Sequence, residues 1–224
     1  MREHTIRFTF TGSAADNGRL DASDRNTYSD AARQFLAVNA HFYATGKIPN
    51  GPAFNHTKHY RVWSEGVRVN CYAETWVVAI ATGGIAGVAS VYGVRALDYL
   101  FEHLLKDNLQ AILSRRPLVP PPELRRDLYL TTQDTRNAAV FSDEDERVQQ
   151  WERLRERSTT ILPNVARPIG RTATKLVIAS DEAEIATVDV GTLRSIMADA
   201  QAYKDAMITA ALDNLGLRQR SLTS

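Results

Sequence analysis

Arginine dominates the side chains in this sequence that could do chemistry. Of the 27 basic residues, 22 are Arg and only five are Lys. Arg offers planar, two-pronged contacts to carboxylates and phosphates that Lys cannot make. Arg is dense from Arg115 to Arg171, through Arg116, Arg125, Arg126, Arg147, Arg153, Arg155, Arg157 and Arg167. Acids interleave with these residues almost one for one, which is the pattern of a salt-bridged, solvated face. A nucleic-acid stripe lacks such interleaving, so nucleic acid is not an expected partner. Arg153 and Arg157 stand four apart on one helix face. Arg167-Pro-Ile-Gly-Arg171, with Thr172 and Thr174 close behind, has the residue types to meet a phosphate through guanidinium groups and backbone amides. Those four arginines are the candidate ligand residues, for a phosphate or nucleotide. For the second pair a Gly turn entering a strand is the preferred reading.

Other reactive residues form no recognisable set. His56 and His59 lie in a loop rather than on a helix, and His41 is the nearest third member. With no carboxylate pattern beside them, no metal site is expected. Cys71 alternates within a strand pattern and reads as a small core residue. Asp143-Glu-Asp-Glu146 follows Ser142 at a helix start, where the dipole favours acid, and four consecutive acids point in different directions. Gly46-Lys47 lacks the upstream Gly of a phosphate loop, because position 41 is His. Gly87-Val-Ala-Ser90 misplaces the serine of a nucleophile elbow. The expectation is no catalytic residue, no metal and no cofactor, and the reading leans away from an enzyme.

The uncharged run Trp76–Val94 is the one unusual feature. It matches the length of a minimal membrane span, with Trp76 and Tyr92 near its ends. Gly83 and Gly87, extended backward by Ala79, make a smooth helix face that another backbone can approach closely. Its many Gly, Thr and Ser residues dilute the hydrophobicity, so a buried core or interface helix is preferred over a bilayer anchor. Ala79, Gly83 and Gly87 are the candidate interface or membrane-contact residues.

The elements that must position these residues follow from periodicity. Residues 5–11 alternate Ile6, Phe8 and Phe10 with polar residues and predict a half-buried strand. Gly18–Asp21 suggests a short second strand. A helix is predicted over 27–45, capped by Asn26 or Thr27 and ended by Gly46. Tyr60–Ser64 and Val67–Ala73 predict a hairpin turning at Glu65-Gly66, with Trp76-Val-Val as a candidate extension. The apolar run then predicts a helix continuing to about Leu113. Pro117 and Pro120-Pro121-Pro122 break the chain. Short helices are expected over Glu123–Leu130 and from Ser142 to Pro163. The end reads as a ββα unit: strands at Ala173–Ala179 and Glu184–Val188, then a helix capped by Asp189.

The whole is expected to be α+β, with a mixed or antiparallel sheet, a long buried Gly-rich apolar helix and a C-terminal ββα unit. Two subdomains, 1–116 and 117–224, or one continuous domain, would meet at the prolines. Hydrophobic residues at 44%, charged residues at 24% and a net charge of +1 exclude a disordered chain and any global pull toward nucleic acid or acidic lipid. One cysteine excludes an intrachain disulfide, and no leader is evident, so a cytoplasmic protein, with membrane association as the variant, is expected. Three functions are open. The leading one is a non-enzymatic homo-oligomer or partner-binding protein that uses the Gly-faced helix. The others are a membrane-perturbing toxin or antiviral-defence effector exposing 76–94, and a phosphate- or nucleotide-binding protein using 153–171.

Overall fold

Alternation along the first strand sets the architecture. The computed structural model describes residues 1–49, 51–53, 56–68, 71–81, 101–120, 140–180 and 183–214. In strand β1 (Arg2–Thr11), Ile6, Phe8 and Phe10 are fully buried while Thr5, Arg7 and Thr9 are only partly covered. Strand β2 (Tyr60–Arg68) pairs with β3 (Tyr72–Ile80), β3 with β1, β1 with β4 (Lys175–Ser180), and β4 with β5 (Glu184–Asp189). Every pair is antiparallel, in the order β2-β3-β1-β4-β5. The fold is therefore α+β with an antiparallel sheet, and the mixed alternative falls away. Register puts Phe8 opposite Glu74 on one side and Ile178 on the other.

Four helices are described: α1 (Ala22–Thr45), α2 (Phe101–Leu113), α3 (Val140–Val165) and α4 (Val190–Asn214). Phe35 and Phe42 of α1, Leu104 and Leu109 of α2, and Trp151, Leu154 and Leu162 of α3 join the sheet residues in one buried cluster. Chain from both sides of Pro117 builds that core, because β4 pairs directly with β1. The expected C-terminal ββα unit is β4, β5 and α4, with Asp189 Oδ1 accepting the Thr192 N–H at 2.7 Å.

Helix α1 begins five residues earlier than its periodicity suggests. Asp21, not Asn26 or Thr27, is its cap, and its Oδ1 accepts the Ser23 N–H at 2.8 Å. Gly18–Asp21, read as a short second strand, is instead an irregular stretch that follows a 3₁₀ turn at Ser13–Asn17 and leads to that cap. The helix ends as expected at Gly46, whose φ of 68° suits a residue without a Cβ. Asn108 Nδ2 donates to Asn39 Oδ1 at 2.9 Å and to Ser158 Oγ at 2.8 Å, all three fully buried. This polar staple joins α1, α2 and α3, and a slide of any one helix would strand its donors.

Two strand readings are corrected. Glu65-Gly66 is not the hairpin turn; Gly66, at φ 140°, lies at an irregularity between Ser64 and Gly66, and β2 runs on to Arg68. Such a bulge lets a strand continue with one residue unpaired. Trp76–Ile80 are strand, as the extension of the hairpin through Trp76-Val-Val anticipates, and not the start of the apolar helix. Ala79 sits buried, opposite Glu3 of β1 and Arg61 of β2, so it shares no helix face with Gly83 and Gly87. Only 14 residues, Ala81–Val94, then remain of the uncharged run, short of the roughly 17–25 that a helical span requires. Gly83, Gly87 and the Glu123–Leu130 helix lie outside the described residues. Among the described residues, no helix is long and apolar enough to cross a membrane.

Candidate functional site

The turn after α1 begins the site. Gly46 redirects the chain, and the Ile48 N–H then reaches Gln150 Oε1 on α3 at 3.3 Å. This brings Ile48, Pro49 and Gly51 beside α3, where Arg153, Glu156, Arg157 and Thr160 face them. Tyr203 and Met207 of α4 form the third wall. The resulting cleft has a volume of about 310 Å³, at the lower end of the roughly 300–1,000 Å³ typical of small-ligand pockets.

Its charges are unevenly satisfied. Arg155, one position away from the cleft wall, donates Nε to Glu152 Oε1 at 2.8 Å and also donates to the Tyr203 hydroxyl. Its guanidinium stands 5.4 Å from the centre of the Tyr203 ring, within cation–π range. Glu152 Oε2 additionally accepts the Leu118 N–H at 3.1 Å, so this cluster ties the proline connection to α3 and α4. Arg157 is different: its Nε is shielded from water and has no hydrogen-bond acceptor among the described residues. Burial pushes the Glu156 carboxyl above the usual carboxylate range, Glu152 pushes it further, and Arg155 and Arg153 offset this only in part. Burial also raises the Tyr203 phenol, which stays neutral at physiological pH.

The four arginines expected to act together are divided between two places. Arg153 and Arg157 line the cleft. Arg167 Nε and Arg171 Nη1 instead contact Asp24 Oδ1 at 3.0 and 3.2 Å, with Asp24 almost wholly buried in the first turn of α1. Gly170, at φ 81°, makes the turn that brings both cations to one carboxylate. That arrangement fastens the start of α1 to the segment entering β4, which is the Gly-turn reading of this motif.

His56 and His59 are exposed, Cys71 is half-buried, and no group of three metal-ligating residues occurs among the described residues. His41 packs edge-on against Tyr60, and burial, with His59 nearby, lowers its pKa. Side chains of Asp143–Glu146 lie outside the described ones.

Two buried polar groups escape sequence reasoning. His4 Nδ1 lies 2.6 Å from Glu102 Oε1, joining β1 to the start of α2. Burial works to raise the Glu102 carboxyl, but the His4 contact and the charge of Arg2 hold it below its ordinary value. Glu74 stands on the core face of β3 beneath Tyr28, with Ser29 Oγ at 3.4 Å. No local pattern signals either group, since the partners are 98 and 45 residues apart.

Comparison with known families, curated proteins and solved structures gives no match to this chain.

Proposed function

We propose that this protein binds a small organic anion in the cleft between the α1 turn, α3 and α4, with Arg153 and Arg157 holding the charged end. The buried, acceptor-less Nε of Arg157 carries this reading. Arg157 is partly exposed, but its Nε–H is out of water without a partner among the described residues, which is costly, and a carboxylate or phosphate bound at this guanidinium offers it an acceptor. Arg153, one helical turn away and exposed, reaches the same anion from the solvent side. Ile48, Pro49 and Met207 provide an apolar wall for the rest of the ligand.

Titration calorimetry with inorganic phosphate and with 4-methylpentanoate tests this. At least one anion should bind, and Arg157→Gln should weaken it by about tenfold or more, the effect of losing a charge-assisted hydrogen bond. Arg153→Gln should weaken it less, because its charge is screened by solvent. If neither anion binds the parent protein, the reading fails.

Self-association is a second reading. Met207, Ile208 and Leu212 of α4 are 65%, 58% and 39% exposed, and adjacent apolar side chains of this size on a surface often mark contact with another chain. Light scattering across a hundredfold concentration range should show a defined mass above the monomer. A monomer throughout would end that reading.

A further inference from the structure

We infer that the ligand of this cleft is a small zwitterion, an α-amino acid with an aliphatic or aromatic side chain. Its carboxylate would lie on Arg153 and Arg157 and its ammonium on Glu156. This rests on the anion-binding reading above and adds the second charge.

Three charged side chains of α3, two positive and one negative, line one 310 Å³ space. Elsewhere on the same helix opposite charges close on each other: Arg155 pairs with Glu152, three residues before it. Arg153 and Glu156 have the same spacing, yet they form no salt bridge. The reversed order, cation before acid, is the weaker arrangement on a helix. Glu156 therefore faces the cleft with no close ion pair among the described residues; Arg155 and Arg153 compensate its charge only in part, and burial disfavours that charge.

A ligand that is only an anion brings like charge to Glu156. An α-amino acid places a cation and an anion a few ångströms apart, which matches Glu156 flanked by the two arginines along one helix face. The ammonium gives Glu156 its missing donors, and the carboxylate gives Arg157 its missing acceptor. Ile48, Pro49, Met207 and the Tyr203 ring are suited to an apolar side chain. The volume leaves room for one such molecule and excludes a dinucleotide or a long peptide.

The test compares ligands that differ only in the ammonium group. Leucine and phenylalanine are titrated against 4-methylpentanoate and 3-phenylpropanoate on the parent protein. At least one amino acid should bind about tenfold or more tightly than its deaminated partner. Glu156→Gln should abolish that preference without weakening the deaminated acid, whereas Arg157→Gln should weaken both members of the pair. The ligand pair reads the ammonium on the unaltered chain, so its outcome does not depend on how a variant folds. If the deaminated acids bind as tightly as the amino acids, the zwitterion inference is overturned and the anion reading stands. If no amino acid, carboxylate or phosphate binds, both are overturned.

Discussion

Trp151→Ala should lower the unfolding free energy by about 3–5 kcal/mol, the range for truncating a large buried aromatic. Trp151 has no solvent exposure and meets Phe42 of α1 edge-on, with ring centres 5.1 Å apart and planes at 80°. The loss has two parts. Transfer of the indole from water is forfeited, and the space between α1 and α3 cannot close because both helices are pinned by the Asn39–Asn108–Ser158 staple. Urea denaturation followed by far-ultraviolet circular dichroism measures it. Trp63→Ala is the matched control: Trp63 is 37% exposed on an edge strand, and its removal should cost far less. Equal losses at the two tryptophans would show that the α1–α3 seam is not where stability is concentrated.

Glu74→Gln should stabilise the protein at neutral and alkaline pH. Glu74 is 5% exposed and packed among Phe8, Tyr28, Tyr72 and Trp76. Its Oε2, the Tyr28 hydroxyl and the Trp76 indole N–H are all buried side by side, but none makes a well-aligned hydrogen bond among the described residues, so the polar contacts between them are weak. Burial raises the Glu74 carboxyl above its ordinary value near 4.5, and neighbouring Ser64, Tyr28, Ser29 and Arg25 only reduce the shift. The folded chain therefore holds this proton at pH values where the unfolded chain has released it. Its contribution to stability is complete below about pH 4.5 and is lost as pH rises through the raised folded value. Gln keeps the shape and has no charge to bury, so the variant should lead by about 1–3 kcal/mol above that window, as for other buried polar groups lacking full partners. The two stability curves should converge toward pH 4. Curves that stay parallel from pH 4 to 8 would mean that Glu74 is adequately solvated or paired.

Features written in neighbouring residues were legible, and features that depend on distant ones were not. Gly46 ending α1 and Asp189 capping α4 are local signals, and both ends fall where they point. Helix α1 starts early at Asp21, a local cap that periodicity overlooks, and the partners that hold Asp24 in its first turn, Arg167 and Arg171, lie 143 and 147 residues away. Trp76–Ile80 carries no charge, so neither a helix nor a strand face stands out. The strand wins because β1 and β2 supply ladder partners on both sides. For the site, the shared face of Arg153 and Arg157 follows from a four-residue spacing. That Ile48 and Tyr203 close the cleft follows from a loop and a helix about 100 and 50 positions away from them, which no periodicity reveals.

The position of β1 governs the order in which this protein can be completed. Of the five strands, β1 comes earliest in the sequence and is the middle strand of the sheet, with Ile6, Phe8 and Phe10 facing the core. Its β3 partner follows within some 70 residues, but its other edge stays open until β4 at Lys175–Ser180 has been made. Between β1 and β4 the growing chain therefore carries an unpaired strand edge beside apolar side chains, the feature that recruits other strands. Pairing so distant in sequence also slows folding, because a long loop must close before the contact gives anything back. A chaperone that shields β1 until β4 emerges would act at the point where this fold is most exposed to error.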